Sequence, residues 1–248
     1  MQSDEKLTKN RFEELSQRSA ARGCYTYSEF LTSAEQDTLC HMRLSIPYTL
    51  SGGYPSAERK LAVFGSLELC GYEEETPICS LAITPTAPKF ADALTHRDFL
   101  GSLMGMGIRR EVLGDIIISE NCGCLFCLDS IADYITQSLT QVKHTAVAVS
   151  QVDVPPLSAL QLPDLISLVA ASERLDAVIA SVYKLSRAES QKLFMQGKVF
   201  VGGRQEERVS FTLDPGAIVS VRGFGRFIYE GVEKETRGGR LRVNVRIF

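Results

Sequence analysis

The sequence predicts an α+β protein in three parts. These are an N-terminal mainly helical region over 1–75, a middle ferredoxin-like βαββαβ domain over 76–153 and, beyond a linker over 154–171, a C-terminal αα-β domain over 172–248. Three observations predict it. Cap and turn signals of helices fill the chain up to the acidic run Glu73-Glu74-Glu75, after which strand-like and helix-like segments alternate. Val154-Pro155-Pro156 interrupts that alternation and marks a boundary. Charge then changes sign: 172–248 holds 14 Lys+Arg against 9 Asp+Glu, a net of +5, whereas 1–171 carries a net of −8.

In the N-terminal region, Leu7–Arg22 has helical character with a weak apolar stripe. A second helix begins at Thr32 or Ser33, where either hydroxyl caps and Glu35 and Gln36 stand at capping-box positions. Ser51-Gly52-Gly53-Tyr54-Pro55 reads as a glycine turn, with Pro55 at the first position of a helix over 56–64.

The middle region opens with the β-rich apolar stretch Ile78–Thr84. Thr95 caps a helix to Met106, with Asp98 in its first turn. Leu113–Ile118 and Cys124–Leu128 are short strands joined by a hairpin over Glu120-Asn121-Cys122-Gly123. Asp129 caps a helix to Leu139, and Lys143–Val152 is a strand alternating at Val147 and Val149. The order βαββαβ is the split βαβ pattern, which serves binding modules and enzymes alike and so decides nothing about function.

Leu160–Ala171 reads as a connecting segment. Beyond it, Glu173-Arg174-Leu175-Asp176 opens a helix with apolar positions at Leu175, Val178, Ile179 and Val182. Ser186 caps a second helix that Gly197 ends, so the pair resembles a helix-turn-helix in outline. Val199–Val201 is a short strand before the Gly202-Gly203 turn, and Ile218–Val221 another before Arg222-Gly223-Phe224-Gly225-Arg226. In the final strand, Arg240, Arg242, Asn244 and Arg246 share one face, and Leu241, Val243, Val245 and Ile247 the other. Three arginines on one face repel unless an anion occupies it; the alternative is an edge strand guarded by charge.

Composition excludes several classes. Apolar residues make up 44% and charged residues 23%, values of a core-forming globular protein. No apolar run reaches the roughly 18 residues of a membrane span, and the polar N-terminus is no secretory signal, so the chain reads as cytosolic. Seven cysteines, an odd number in mostly apolar surroundings, read as reduced buried thiols. Cys122, Cys124 and Cys127 supply a C-x-C-x-x-C spacing, but no second pair follows at zinc spacing, so no metal is expected. Walker, G-x-S-x-G and dinucleotide fingerprints are missing, so no cofactor is expected either.

The C-terminal motifs carry a resemblance. Arg174-Leu175-Asp176, Ser186-Arg187, Gly197-Lys198-Val199-Phe200-Val201-Gly202-Gly203, Pro215-Gly216-Ala217-Ile218-Val219 and Val221–Arg226 resemble the S-four RNA-binding domain. Gly202 stands where that domain commonly has asparagine, and Ala217 where it has aspartate. Gly52–Arg59, Leu94–Met104, Gly107–Glu111 and Gly114-Asp115-Ile116 extend the resemblance to the YlmH family over nearly the whole chain. That resemblance implies an RNA-recognition-like middle domain. It also implies a role at the ribosomal large subunit carrying a peptidyl-tRNA, in rescue of stalled translation, with an older link to cell division.

The residues agree with RNA as partner. Lys184, Arg187, Lys192 and Lys198 lie close enough in sequence to share a phosphate-facing surface, and Arg174 and Ser186 join them as candidate RNA-binding residues. Arg187 sits in the first turn of a helix, where backbone N–H groups also favour anions. Arg204, Arg222, Arg226, Arg240, Arg242 and Arg246 extend the basic set. His96, Arg97, Arg109 and Arg110 place cationic groups at both ends of the middle helix. Singly, each charge is equally a solvated surface residue, and Asp176 reads as the acid of an ion pair that fixes the first C-terminal helix. The sequence thus points to a monomeric, non-enzymatic factor binding rRNA or tRNA. The alternatives are an RNA-modifying enzyme, for which His96 lacks an orienting partner, and an interaction factor in division.

Overall fold

A computed structural model describes residues 2–119, 121–153, 162–236 and 238–248. It divides into two compact units, Met1–Gln161 and Leu162–Phe248. No helix among the described residues is long and apolar enough to cross a membrane.

The first unit begins with α1 (Gln2–Arg22), β1 (Thr26–Tyr27), α2 (Ser33–Cys40), β2 (Tyr48–Ser51), β3 (Leu61–Phe64) and α3 (Leu67–Cys70). Thr32 caps α2 through a capping box with Glu35, which ties two otherwise orphaned N–H groups to oxygen. The mainly helical reading of this region is corrected: β1, β3 and β2 form an antiparallel sheet in that order. The helix expected over 56–64 does not form; Leu61, Ala62, Val63 and Phe64 are all buried in a central strand instead. A short, wholly apolar run fits a covered strand as well as a helix, and here flanking strands pair on both sides. α1 packs Phe12 against this layer, and Ser19 Oγ donates to the Phe64 carbonyl at 3.1 Å.

The same unit continues through β4 (Ile78–Pro85), α4 (His96–Gly105), β5 (Leu113–Ser119), β6 (Cys122–Leu128), α5 (Asp129–Ser138), β7 (Gln141–Val142) and β8 (Thr145–Gln151). The antiparallel sheet runs β5-β6-β4-β8-β7. β4 and β5 flank α4 in sequence and are separated in the sheet by β6. Three local readings shift. The hairpin is tighter than expected, since Ser119 pairs with Cys122 and Asn121 turns with φ 66°. Asp129 is the first helical residue rather than the cap, its carboxylate accepting from Ser130 N–H at 2.6 Å. The last strand splits at Lys143, whose φ is 56°. The core between sheet and helices holds Leu81, Ile83, Phe99, Leu103, Leu125 and Ile135.

The second unit contains β9 (Leu165–Ala170), α6 (Leu175–Val182), α7 (Arg187–Met195), β10 (Val199–Val201), β11 (Arg204–Gln205), β12 (Ala217–Val221), β13 (Gly225–Glu235) and β14 (Leu241–Ile247). Six strands run β11-β10-β12-β13-β14-β9, all neighbours antiparallel. Two expectations are corrected. Leu165–Ala170, read as part of a connector, pairs residue by residue with β14; residues 154–161 of that connector lie outside the described residues. β14 is therefore no edge strand but lies between β13 and β9. The core gathers Val178, Ile179, Leu193, Phe194, Val219, Phe227, Tyr229, Val243 and Val245. Each fully buried large side chain of this kind stabilises by roughly 1.5 to 3 kcal/mol.

Candidate nucleic-acid interface

The helix pair of the second unit is built around one acid. Asp176, in the first turn of α6, is fully buried. Arg174 Nε donates to its Oδ1 at 3.1 Å and Nη2 to its Oδ2 at 3.3 Å. Gln191 Nε2 donates to Oδ2 at 3.3 Å, and Arg187 Nε lies 3.5 Å from the same oxygen. Ser190 Oγ donates to the Asp176 carbonyl at 2.8 Å, locking α7 on α6. Burial by itself raises a carboxyl pKa, but the Arg174 and Gln191 hydrogen bonds and the Arg174 and Arg187 charges outweigh it and hold Asp176 below its ordinary value.

Arg187 thus has an acid where the sequence suggested only backbone N–H groups. The first turn of α7 also gains Glu189, which closes a capping box with Ser186. The Arg187 side chain still keeps 69% of its surface open beside the carboxylate, so most of its guanidinium is accessible to a ligand. Lys184, exposed with φ 54°, sits between the helices, and Lys192 is exposed on α7. Arg187 and Arg240 line a cleft of about 420 Å³ with Ser172, Ala177 and Ser181.

The remaining basic residues divide. Lys198, Arg222 and Arg226 lie on the sheet face turned away from the helices, because Phe200, Ser220 and Arg226 are successive cross-strand partners. Arg204 is exposed on β11. Arg242 and Arg246 alternate outward on β14 as expected, but Arg246 donates to Glu230 at 2.6 Å and to the Pro163 carbonyl at 2.8 Å. The strand's arginine face is thus answered partly from within the sheet, and repulsion there does not demand an external anion.

In the first unit the four middle-helix candidates separate. Arg110 is tied down, its Nη1 donating to the Leu113 and Gly114 carbonyls at 2.7 and 3.0 Å. Burial, with Arg59 alongside, pulls its pKa down to about 10. Arg109 pairs with Glu29, which also takes Arg11 at 3.0 Å. His96 is held below its ordinary pKa by desolvation and by the nearby Arg110 charge. Arg97 lines a cleft of about 590 Å³ between α4 and the α5–β7 connection, together with Lys143.

Sequence reasoning missed Asp115. Its Oδ2 accepts from Tyr54 Oη at 2.7 Å and Glu58 N–H at 2.6 Å, and its Oδ1 from Arg59 N–H at 3.1 Å. Arg59 in turn donates to the Leu113 and Phe30 carbonyls at 3.0 and 2.8 Å. Gly52–Arg59 and Gly114–Ile116, quoted above for their resemblance, thus meet as one structural joint. Tyr54 also stacks on Phe126 at 4.7 Å between ring centroids, on the sheet face opposite the helices.

A protein of Bacillus subtilis (strain 168), "Ribosome-associated protein quality control protein P2", is 33% identical over 222 residues, covering 87% of this chain and 84% of its own. A family model described as "Putative RNA-binding domain in YlmH" matches residues 78–155, and the S4 domain model matches 173–219. The chain belongs to the YlmH family. A solved YlmH structure, "Cell division protein ylmH from Streptococcus pneumoniae", shares the fold at a TM-score of 0.50 and 16% identity, over 64% of this chain and 95% of its own. In this YlmH chain the S4 match takes in the Asp176 node and stops at residue 219, so β13 and β14 lie beyond it. The three closely spaced cysteines of the YlmH chain are split by the pleat of β6: Cys127 packs into the helix-side core while Cys124 faces the other way. Burial pushes Cys124 up to about 11 and Cys127 to about 12, which keeps both as thiols at neutral pH.

Proposed function

We propose that this YlmH-family chain is a non-enzymatic factor that binds structured RNA on the ribosome, with rRNA or tRNA of the large subunit as its target, in the rescue of stalled translation. The observation that carries the reading is the Asp176 node. One buried carboxylate orients Arg174 and Arg187 from two helices, while most of the Arg187 guanidinium stays accessible. A guanidinium held in place loses little freedom on meeting a phosphate, which it contacts bidentately. The named Bacillus subtilis relative is ribosome-associated and acts in protein quality control, which supports the cellular setting.

We read the middle domain as ferredoxin-like and RNA-recognition-like. RNA-recognition sheets stack bases on aromatic residues; here Tyr54 already occupies Phe126. RNA contact by this domain therefore falls to the helix side, at Arg97 and Lys143. His96, Arg109 and Arg110 serve the structure of the first unit. The protein works as a cytoplasmic monomer.

Sedimentation of the full chain with purified large and small subunits tests the reading. Co-migration with the large subunit is expected at about 50 mM salt, with affinity falling steeply by about 200 mM as phosphate contacts give way to counterions. Affinity unchanged across that range would refute phosphate binding. New modified nucleotides in rRNA or tRNA after incubation would favour an enzyme.

A further inference from the structure

We infer that the face of the six-stranded sheet turned away from α6 and α7 is a second RNA surface, one that takes unstacked nucleobases. The inference rests on the reading that the C-terminal unit binds RNA; it adds a second face and a different RNA chemistry. Strand pairing defines the face. Phe200, Ser220 and Arg226 are successive partners across β10, β12 and β13, and Ile218, Ile228 and Arg246 form the next row. Their neighbours Val199, Val219, Val221, Phe227 and Val245 point the other way, into the core. Phe200, Ile218 and Ile228 are thus apolar residues that do not belong to the domain's core.

Two of the arginines on this face sit over aromatic rings. The Arg222 guanidinium sits 4.5 Å from the centroid of Phe200, and Arg226 sits 3.9 Å from that of Phe248. Arg222 is exposed beside the Phe200 ring, so a planar group can reach its guanidinium there. At the end of the sheet, the loop between the two arginines carries Phe224, 45% exposed, whose ring packs on Tyr183 at the C-terminus of α6 at 5.4 Å. It stands between Gly223 and Gly225, whose φ values of 88° and 130° give the tight turn that lifts it. Charge selects the partner. Lys198 adjoins Arg222, whose N–H donates to the Lys198 carbonyl at 2.9 Å. Neither side chain has a carboxylate partner among the described residues. A surface of cations set over aromatics suits a ligand with an anionic backbone and flat rings: RNA with unpaired bases. Paired RNA buries those rings in its own stack and offers mainly phosphate and ribose. The Asp176 node, on the helix side, suits the latter.

Full-length protein titrated with a short single-stranded RNA carrying 2-aminopurine, and separately with a fully paired hairpin stem, tests the inference. Native protein should quench the 2-aminopurine. Arg222→Lys keeps the charge but loses the plane, and Phe200→Leu keeps an apolar strand residue but loses the ring. Both should lose most of the quenching and bind the single strand about tenfold more weakly. Both should bind the paired stem within about twofold of native, and their thermal melts confirm that the fold survives. Native-like quenching by both variants, or equal losses on single and paired RNA, would overturn the inference. Loss of stem binding by Arg187→Ala, with Arg222→Lys silent, sinks it alone; a native protein that binds neither RNA sinks the RNA reading too.

Discussion

The buried carboxylate of Asp176 receives Arg174 as a fork, Nε at 3.1 Å and Nη2 at 3.3 Å, within one turn of α6. Removing the acid leaves two guanidinium groups without their counter-charge and α7 without an anchor for Gln191. Asp176→Ala is expected to lower unfolding free energy by about 2 to 4 kcal/mol, below the largest losses for buried pairs because Arg174 is partly open to water. Urea denaturation of the native and variant proteins measures it; a loss under about 0.5 kcal/mol would contradict the node's structural role.

The same pair sets a pH dependence. The folded Asp176 pKa is lowered relative to the unfolded carboxyl, whose ordinary value is about 3.9. Its stabilisation is therefore fully present above the unfolded value and is lost as pH falls through the folded one. The stability gap between native protein and Asp176→Asn should be constant near neutrality and shrink below about pH 4. A gap that widens on acidification would show the sign to be wrong.

Arg187→Ala should separate binding from folding. Arg174 still satisfies Asp176, and the largely exposed Arg187 contributes about 0 to 1 kcal/mol to stability. RNA affinity should drop by about 1.5 to 3 kcal/mol, the scale of a charge-assisted contact. Filter binding with a structured RNA, beside a thermal melt, gives both numbers. A variant that unfolds, or that binds as native, removes Arg187 from the interface.

Asp115→Ala should loosen the joint between the N-terminal layer and the middle sheet. Three donors, the Tyr54 hydroxyl and the N–H groups of Glu58 and Arg59, lose their acceptor. A cost of about 2 to 4 kcal/mol is expected from several unmet donors. Amide hydrogen exchange should rise first in Gly52–Arg59; protection unchanged there would disprove the joint.

Two glycines in the same unit should respond oppositely to alanine. A Cβ on Gly52 would stand 2.2 Å from Ala57 Cβ and 2.6 Å from the Arg59 carbonyl oxygen, so Gly52→Ala should destabilise by at least about 2 kcal/mol. A Cβ on Gly101, inside α4, meets nothing within 4 Å, so Gly101→Ala should stabilise by about 0.5 to 1 kcal/mol. Calorimetric melting points moving in the same direction would contradict this.

Local signals were legible in the sequence and long-range ones were not. The caps Thr32, Thr95 and Ser186 were readable because each finds its partner three residues on, at Glu35, Asp98 and Glu189. The Asp176 ion pair was readable for the same reason, since Arg174 is two residues away. The fate of Arg187, eleven positions beyond Asp176, depended on how α7 packs. Leu61–Phe64 looked helical because its strand partners are separate in sequence and its pattern has no period. Arg110 looked like a phosphate ligand because nothing local says that its guanidinium ends on carbonyls of the following strand. Asp115 had no local signal either: its donors lie 56 to 61 positions earlier.

The pairing of β9 with β14 bears on how the C-terminal unit behaves in isolation. A fragment cut at Ser172 would lack Leu165–Ala170, the strand that covers β14. The whole hydrogen-bonding rim of β14, from Leu241 to Arg246, would then face water as a ready template. Such a fragment should self-associate through that rim and grow into aggregates on concentration. A fragment beginning at Leu162 keeps β14 paired with β9 and should aggregate less at the same concentration.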